Sequence, residues 1–446
     1  ALPIYTQKKR IVIIGGGFAG LELAKKLCTK PFQLVLLDKN NYYQFQPLLY
    51  QIATAGLEPG SVSFPLRKFF QKYKNVHFRV AEVLRIQSDT RQVITDIGSI
   101  DYDYLVLATG ATNNFFGLEN IQKNALSMKS VTDAIYIRNY ILSNFEKALN
   151  ETQPDKISSY LNIAIAGGGP TGVELAGALA EMKKYVFNKD YPQLDLSLMS
   201  IRVFEGSGAL LSGMSSYASK HARRHLEKLG VEVFLNARVQ DYDGENVILA
   251  DGKTFSARTL VWATGVAAAK PDGFAHHTVG RGLRVQVDRQ NRVAGYDNIF
   301  AIGDVCSMQT PKYPNGHPQV AQVALQQGKL LAKNFPRLMH NKPLQDFEYK
   351  NKGSMATVGR NLAVADLPWF KLSGFVAWAL WSVIHLLSIV GAKNKFSVLI
   401  NWMYRYFTYD QSLRLLIRHK TSHRPVVLSP IYTTVAEGTM IKENQA

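Results

Sequence analysis

The chain has 446 residues, enough for two or three domains with separate binding modules. Its 46% hydrophobic and 19% charged residues exclude a disordered or fibrous protein. The 52 Lys and Arg outnumber the 34 Asp and Glu and leave a formal charge of +18, which would attract nucleic acid or an anionic membrane surface. Because no nucleic-acid-binding module is recognisable, we expect an anionic lipid surface as partner and no nucleic acid.

Cysteine usage argues for a reducing compartment. Only Cys28 and Cys306 are present, so the sequence has no disulfide framework, no C-x-x-C motif and no zinc ligand set, and we predict no metal site. The N-terminus leads within a few residues into a predicted strand, and we therefore expect no signal peptide.

The first motif is a strand, a glycine-rich turn and a helix. Arg10 to Ile14 form a β-branched run, and a helical pattern extends from the turn to Leu27. A second strand, Gln33 to Leu37, ends in Asp38, where an acid can accept hydrogen bonds from ribose hydroxyls. The turn consists of Gly15, Gly16, Gly17, Phe18, Ala19 and Gly20. Its G-x-G-x-x-G register allows a pyrophosphate to approach the helix N-terminus, so we predict a dinucleotide site rather than a purely structural turn.

A second unit of the same kind begins with a predicted strand from Leu161 to Ala166. The glycines in register are Gly167, Gly169 and Gly172. Pro170 suits the first helical turn, where no N–H is needed. The strand from Ile201 to Phe204 ends in Glu205, a second predicted ribose ligand, although the segment YVFNKDYPQLDLSLMS lengthens the spacing before it. No Arg directly follows Glu205 to meet a 2′-phosphate, which favours NADH over NADPH.

Three hydrophobic strands end in characteristic turns. Tyr104 to Gly110 and Leu260 to Gly265 each close a unit with Ala-Thr-Gly, and NIFAIGDV places Asp304 after a third strand. From spacing alone, Asp304 is a turn residue or a helix cap.

These features together resemble the two-dinucleotide flavoprotein superfamily. The segments NYYQFQPLLYQIATAGLEP, AQVALQQG, KGSMATVGRNLAVAD and INWMYRYFTYDQSLRLL are similar to type II NADH:quinone oxidoreductases, which are single-subunit, non-pumping respiratory dehydrogenases. The resemblance covers essentially the whole chain. It implies non-covalent FAD at the first turn, NADH as substrate at the second, and transfer of two electrons through the flavin to a membrane quinone.

The resemblance also assigns roles to single residues. It implies flavin contacts at the Ala-Thr-Gly turn and at the Gly-Asp turn, and a nucleotide contact at the second Ala-Thr-Gly turn; these residues are Thr109, Gly110, Asp304 and Gly265. Lys39 would lie beside the adenosine ribose and Val83 would meet the adenine through its backbone. Both have an alternative structural interpretation, since the alternation HFRVAEVLRI already explains an apolar Val83 as sheet core.

Two further sites carry predicted roles in electron transfer. Glu174 would approach the nicotinamide and the flavin; alternatively, as a carboxylate in the first helical turn, it would only complement the helix dipole. Ala321 and Gln322 would contact the flavin, and Gln322 would border the quinone pocket. Gln326 lies four residues further along a predicted helix, hence on the same face, and is the second predicted quinone residue, although both glutamines could instead be solvated.

The C-terminal region combines apolar and basic residues. Phe375 to Val390 is apolar except for Ser382, His385 and Ser388, and its sixteen residues would span about 24 Å as a helix, short of the roughly 30 Å hydrocarbon core. Phe396 to Arg418 sets five aromatic residues among arginines, as in a helix lying in the headgroup interface. The aromatic residues are Trp402, Tyr404, Tyr406, Phe407 and Tyr409. Packing against the protein body or in a homodimer is the alternative and can coexist with membrane contact; a lone His385 is expected to be a packing residue.

We therefore predict an α/β fold: two Rossmann-like dinucleotide-binding domains with a C-terminal amphipathic helical membrane-anchoring tail. The predicted parts are residues 1–121 and 271–350 for FAD, 122–270 for NADH and 351–446 for the membrane. The enzyme would sit peripherally on the cytoplasmic face of the cell membrane, or on a matrix-type inner membrane face in an organelle.

Two alternative functions share parts of this pattern. A sulfide:quinone oxidoreductase, like a disulfide reductase, needs a redox cysteine pair beside the flavin, and neither cysteine has the setting for it. A flavin-containing signalling protein would bind NADH without reducing quinone.

Overall fold

The computed structural model describes residues 8–274, 278–411 and 413–417. The described residues up to Leu416 form one compact unit, and after it only Ile417 is described.

The first part of the chain builds most of one sheet and its first helix. Its elements are β1 (Arg10–Ile14), α1 (Phe18–Leu27), β2 (Gln33–Asp38), β3 (Tyr42–Gln44), α2 (Leu49–Ala53), β4 (Ser63–Pro65), α3 (Leu66–Phe70), β5 (Val76–Val80), β6 (Val83–Gln87), β7 (Gln92–Thr95), β8 (Gly98–Asp101), β9 (Tyr104–Leu107) and β10 (Ala111–Asn113). Strand β1 is buried along most of its length because α1 packs on one face of the parallel sheet and strands β6, β7 and β8 pack on the other. The predicted strand, turn and helix at its start are confirmed.

The middle of the chain repeats this plan. Its elements are α4 (Glu119–Asn124), β11 (Leu126–Ser127), α5 (Val131–Ala148), α6 (Pro154–Leu161), β12 (Ile163–Ala166), α7 (Pro170–Met182), α8 (Asn188–Asp190), β13 (Ile201–Glu205), α9 (Ser216–Lys228), β14 (Glu232–Leu235), β15 (Val239–Tyr242), β16 (Asn246–Leu249), β17 (Thr254–Ser256), β18 (Thr259–Trp262) and β19 (Val266–Ala268). The predicted strand start at Leu161 is wrong, because Leu161 is the last residue of α6. A π-helical turn at Lys183–Phe187 joins α7 to α8, so the lengthened spacing before Glu205 begins as a helical extension.

The last part returns to the first sheet and then leaves it. Its elements are β20 (Val285–Gln286), β21 (Ile299–Ala301), β22 (Cys306–Ser307), α10 (Ala321–Met339), β23 (Ser354–Gly359), β24 (Leu362–Asp366), β25 (Lys371–Ser373), α11 (Phe375–Ser388) and α12 (Ala392–Thr408). The predicted single helix from Phe396 to Arg418 is wrong in its bounds. Helix α12 ends at Thr408 because Tyr409 adopts a left-handed conformation with φ of 60°, and Arg418 lies outside the described residues.

Two five-stranded parallel sheets share the order of four strands, β9-β1-β2-β5 and β18-β12-β13-β14, and differ in which part of the sequence supplies the fifth strand. The first runs β21-β9-β1-β2-β5 and the second β11-β18-β12-β13-β14. Each glycine-rich turn therefore follows the central strand, β1 or β12, where the connections diverge to opposite sides. Dinucleotides bind at this switch point of doubly wound sheets, outside the carboxyl ends of the strands.

Each unit also contains a smaller three-stranded sheet. Three-stranded antiparallel sheets, β6-β7-β8 and β15-β16-β17, occupy corresponding positions in the two halves of the sequence. The chain passes from the first unit to the second through β10 and returns through β19, and these two strands pair antiparallel. The predicted domain boundaries at 121/122 and 270/271 fall close to this crossing.

The C-terminal region is more than a helical tail. Strands β23, β24 and β25 form an antiparallel sheet that packs against α7, and α11 packs on the same sheet. At Gly177 a Cβ would collide with the carbonyl oxygen of Val358, so the glycine allows β23 to approach α7 closely. Among the described residues, no helix is long and apolar enough to cross a membrane.

Candidate dinucleotide sites and the adjoining cavity

The first glycine-rich turn is held by an acid at the end of the neighbouring strand. Gly15 has φ of +102°, which favours glycine, and a Cβ on Gly20 would collide with the Gly15 carbonyl oxygen. The backbone N–H of Gly16 donates to Asp38 Oδ2 at 2.6 Å, and that of Asn40 donates to Asp38 Oδ1 at 2.7 Å. A carboxylate has about four lone-pair directions, so Asp38 can still accept from ribose hydroxyls while its orientation is fixed.

The second turn reproduces this geometry. Gly167 has φ of +111°, and a Cβ on Gly172 would collide with the Gly167 carbonyl oxygen. The backbone N–H of Gly168 donates to Glu205 Oε2 at 2.6 Å, and that of Ser207 donates to Oε1 at 2.8 Å. Pro170 is the first residue of α7, as predicted.

Open space and a buried hydroxyl, unpaired among the described residues, lie beside the first turn. A Cβ added to Gly17 or to Gly110 would meet no atom within 4 Å, so both glycines border open space. Thr109 Oγ1 is buried without a hydrogen-bond partner in the described chain. An orphaned hydroxyl in a glycine-lined cradle is what remains when a polar cofactor such as FAD supplies the missing partner.

The Gly-Asp turn after β21 closes the first site from the side of α10. Gly303 has φ of +77°, and a Cβ there would lie 3.3 Å from the Cβ atoms of both Ala19 and Ala324. Burial raises the pKa of Asp304, while Lys129 and Arg284 oppose that rise. Asp304 is the middle residue of the short 3₁₀ turn Gly303–Val305, which makes it a turn residue and not a helix cap.

A third glutamine of AQVALQQG, which sequence reasoning missed, holds this turn. Gln327 is 1% exposed, and its Oε1 accepts from the N–H of Gly303 at 2.7 Å. The thiol of Cys306 also donates to Gln327 Oε1, at 3.6 Å. Helical spacing places Gln327 off the face shared by Gln322 and Gln326, and this change of face was the available signal.

Gln322 and Gln326, the two glutamines predicted from the sequence, bond a different segment of the backbone. Gln322 donates to the Gly353 carbonyl at 2.8 Å and accepts from the N–H of Lys352 at 3.1 Å. Gln326 makes the same two-way contact with the backbone of Lys350, at 2.9 and 3.0 Å. The solvated alternative is wrong, because both amides bond the segment that leads into β23. Their predicted contacts with flavin and quinone stay predictions.

The remaining predicted FAD residues are spread around the same edge. Ala321 is the first residue of α10, and Lys39 is exposed directly after Asp38. Val83 begins β6 and is partly buried against the core on that side of the first sheet, which agrees with its structural interpretation. Their nucleotide contacts also stay predictions.

A cavity lies between the second unit and the C-terminal region. It encloses about 610 Å³ of space between side chains, part of it open to solvent. Its lining comprises Tyr50, Gln51, Glu174, Ala178, Glu181, Thr357, Gly359, Arg360, Trp378, Trp381, Ser382, Trp402, Arg405 and Tyr406. The walls thus combine five aromatic side chains with seven polar or charged ones.

Glu174 is the acid of this cavity with the most altered environment. It is the fifth residue of α7 and is 8% exposed, so the interpretation as a first-turn carboxylate that complements the helix dipole is wrong. Burial raises its pKa to about 8, and only a long contact from the N–H of Thr357, at 3.4 Å, opposes the shift. Glu174 can therefore hold a proton near neutral pH.

A second acid, Glu181, anchors the C-terminal helix. The N–H of Arg360 donates to Glu181 Oε1, and the Arg360 guanidinium donates to the carbonyls of Tyr406 and Arg405 at 2.9 and 2.6 Å. Arg405 in turn donates to the Gly56 carbonyl at 3.4 Å. These bonds fix α12 against α7 and the loop after α2.

Two cavity groups keep unused hydrogen-bonding capacity. The indole N–H of Trp381 is buried without a partner among the described residues. Tyr50 is 6% exposed and its hydroxyl accepts from Gln51, whose Oε1 accepts from the indole of Trp402 at 2.8 Å. A ligand with carbonyl oxygens would complement such donors.

The polar residues of α11 are satisfied inside the helix. Ser382, His385 and Ser388 each contact the backbone carbonyl four residues earlier. The His385 ring stacks on Trp381 with centroids 4.1 Å apart, and burial lowers its pKa. His385 is a packing residue, as expected from the sequence.

The cysteines are both free and buried. Cys28 follows the end of α1 and donates to the Lys25 carbonyl, whereas burial raises the pKa of Cys306 to about 12. Because both thiols are buried, disulfide chemistry at either cysteine is disfavoured.

Family models match nearly all of the described chain. The pyridine nucleotide-disulphide oxidoreductase family matches residues 9–328, and the NDH2 C-terminal domain matches residues 351–409. Type II NADH:quinone oxidoreductase Ndh of Mycobacterium tuberculosis is 34% identical over 419 residues, covering 89% of this chain and 88% of that protein. The type II NADH:quinone oxidoreductase of Staphylococcus aureus is 30% identical over 359 residues, covering 79% of this chain and 88% of its own length.

Solved structures show the same fold. NDH2 from Plasmodium falciparum in complex with NADH superposes with a TM-score of 0.85 at 24% identity, over 92% of this chain and 100% of that one. The sulfide:quinone oxidoreductase of Aquifex aeolicus is more distant, with a TM-score of 0.69 at 18% identity over 90% of this chain and 95% of that one.

Proposed function

The chain belongs to the type II NADH:quinone oxidoreductases and is an NADH:quinone oxidoreductase, and from this premise we propose a two-site mechanism. FAD is held without a covalent bond at the first turn, NADH exchanges at the second, and a membrane quinone is reduced without proton pumping. The observation that carries the proposal is the pair of equivalent turns, each with an acid bonded to its backbone, beside a cavity that contains a protonatable Glu174.

Corresponding residues would bind the two dinucleotides at the two turns. Asp38 and Glu205 would orient the two ribose groups, and the helix N-termini of α1 and α7 would receive the pyrophosphates. A bound flavin supplies the redox chemistry, since it can accept a hydride from NADH and release two electrons to a quinone.

Glu174 is proposed to hold a proton for the quinone. Reducing a quinone to a quinol consumes two protons, and a carboxyl group with a pKa near 8 is largely protonated at pH 7. The Trp381 indole and the Tyr50 hydroxyl can donate hydrogen bonds to carbonyl oxygens in the same cavity. Gln322, which we predict to border the quinone pocket, does not line this cavity itself. It bonds Lys352 and Gly353, in the segment that leads into β23.

The C-terminal helices are proposed to lie in the membrane interface. Large apolar side chains on α11 and α12 are exposed: Phe375, Val376, Val383, Leu387, Phe396, Ile400, Met403 and Phe407. Lys371 and Lys393 are exposed close by in sequence, which suits anionic headgroups. A cytoplasmic or matrix-type face and a homodimer remain predictions from the family resemblance.

Double-mixing stopped-flow tests the proposed division of labour. Glu174→Gln enzyme should be reduced by NADH at the normal rate and then reoxidised more slowly by a soluble quinone. The control is Glu22→Gln, which alters the equivalent position of the first unit. Slow reduction with normal reoxidation in Glu174→Gln would overturn the assigned role.

Vesicle sedimentation tests the membrane proposal. The double variant Phe396→Ser and Phe407→Ser should remain in solution with phosphatidylglycerol vesicles that sediment the wild type. Leu84→Ser, an exposed leucine on β6, is the control and should sediment normally. Sedimentation of the double variant together with the vesicles would exclude these helices as the lipid contact.

A further inference from the structure

An exposed aromatic ring covers the second dinucleotide site. Phe116 follows β10 in the crossing between the two units and is 53% exposed. Its ring lies directly against Gly265, where a Cβ would collide with two ring atoms. Gly265 ends the second Ala-Thr-Gly turn, so Phe116 lies at the carboxyl edge of β18.

Three hydrogen bonds fix the backbone that presents this ring. The N–H of Asn114 donates to the Gly265 carbonyl at 3.3 Å, and the Trp262 indole donates to the Asn114 carbonyl at 2.9 Å. The N–H of Phe116 donates to Asn114 Oδ1 at 2.9 Å. Phe116 also has φ of +53°, a conformation that costs free energy for any residue with a Cβ.

The neighbouring Phe115 shows what a packing residue in this segment looks like. Its ring is partly buried and stacks on Trp262, with centroids 6.0 Å apart and an interplanar angle of 22°. It packs against the hydrophobic core on that side of the second sheet. Phe116 has no comparable burial, so internal packing does not account for an exposed ring on a strained backbone.

The strand order shows which part of a dinucleotide would reach Phe116. The second sheet runs β18-β12-β13, with Gly167 after β12 and Glu205 at the end of β13. An adenosine ribose bound to Glu205 therefore lies on the β13 side, and the pyrophosphate lies over the turn after β12. The nicotinamide half must extend to the β18 side, where Gly265 and Phe116 are.

We propose that Phe116 packs against the nicotinamide half of bound NADH and sets its affinity. This inference rests on the proposed NADH site at the second turn. The ring is a positioning group: it contributes apolar contact over Gly265 and takes no part in proton or hydride transfer. Its hydrophobic and stacking contribution should be lost on truncation and retained by another aromatic residue.

Four variants of the flavin-containing enzyme test the proposal. For each variant, anaerobic flavin reduction gives the NADH dissociation constant and a thermal melt gives the melting temperature. Phe116→Leu should weaken NADH binding roughly twofold to tenfold at an unchanged melting temperature, and Phe116→Tyr should restore binding. Phe115→Leu, the matched control, should melt earlier and bind NADH normally. Phe116→Gly should bind as weakly as Phe116→Leu but melt no earlier, because glycine accepts a positive φ.

The outcomes separate this inference from the proposed function. Normal NADH affinity in Phe116→Leu, or an affinity loss in Phe115→Leu as large as that in Phe116→Leu, would overturn the role of Phe116. If NADH fails to reduce the wild-type flavin, the proposed function itself is wrong.

Discussion

The two glycine-rich turns share one backbone design and differ in what packs against them. In the first unit, Gly303 closes against Ala19, and a Cβ on Gly328 would lie 2.7 Å from the Ala19 carbonyl oxygen, so α10 covers the turn closely. In the second unit, the cover near Gly265 is the exposed ring of Phe116. The first turn is thus covered by a helix and the second is flanked by one exposed side chain, which fits the proposal of a resident cofactor at the first turn and an exchanging substrate at the second.

The equivalent acids of the two units, Glu22 and Glu174, also differ in their surroundings. Glu22 in FAGLEL and Glu174 in PTGVEL each stand two residues after the third glycine. Glu22 lies 4.0 Å from Lys329 Nζ, whereas Glu174 faces the cavity formed with the C-terminal region. A repeated sequence element thus acquires a distinct chemical property from its tertiary neighbours.

Adding a methyl group at the third glycine should have the largest effect. Gly20→Ala should abolish flavin binding or yield insoluble protein, because the Cβ collides with backbone. Gly172→Ala should give a flavin-containing protein that NADH no longer reduces. Flavin absorbance and anaerobic bleaching measure both, with Gly60→Ala in open space as control. Equal flavin loss in both variants would contradict separate sites.

Glu174 should make stability depend on pH. The unfolded carboxyl ionises near 4.5 and the folded one near 8, so between these values only the folded chain retains the proton. Stability therefore falls as pH rises through this window, by on the order of 3 kcal/mol at pH 7.

Thermal melts of Glu174→Gln should reveal this dependence. The variant should gain stability relative to wild type at pH 8 and lose that gain below pH 4.5. Glu22→Gln, the matched control, removes only a long 4.0 Å ion pair between a partly buried carboxylate and the exposed Lys329, and should change stability by less than about 1 kcal/mol. Parallel pH profiles for wild type and Glu174→Gln would contradict the buried protonated state.

Neutralising Asp38 or Glu205, the acids at the ends of β2 and β13, should weaken the binding of one dinucleotide and not of the other. Asp38→Asn should weaken flavin retention, and Glu205→Gln should weaken NADH binding without flavin loss. Each should cost roughly 10-fold to 100-fold in affinity, as expected for hydrogen bonds to a charged group. Flavin dialysis and NADH titration distinguish the two effects; an NADH defect in Asp38→Asn alone would reverse the assignment.

Replacing single glutamines of α10 should have the smallest effect. Gln327→Leu removes the acceptor for the Gly303 N–H and should speed flavin loss about tenfold. Gln326→Leu should retain flavin normally, because it bonds Lys350 far along the chain from the Gly-Asp turn. Fluorescence of released flavin measures both rates. Equal rates would exclude Gln327 as the residue that holds this turn.

The sequence predicted what depends on local spacing. The turn at Gly15, the acid at Asp38 and their counterparts at Gly167 and Glu205 follow from a strand, a glycine register and the next strand. The family resemblance added Glu174, but its burial arises from a sheet that begins about 180 residues later. No local pattern contains that contact.

Other features also depended on tertiary contact. Gln327 was overlooked because its partner, Gly303, lies on a different element, and Arg405 gave no sign of bonding Gly56. The end of α12 was placed too late because an aromatic and basic pattern continues past Thr408, whereas the backbone turns at Tyr409. The residue pattern typical of an interfacial helix therefore continues beyond the last helical residue.

An anaerobic spectral titration tests the central claim most directly. The purified enzyme should show a flavin spectrum that bleaches with one equivalent of NADH and recovers fully with one equivalent of a soluble quinone. Gly172→Ala should show the same starting spectrum and no bleaching. A wild-type spectrum that NADH leaves unchanged, or that bleaches but does not recover with quinone, would contradict the account.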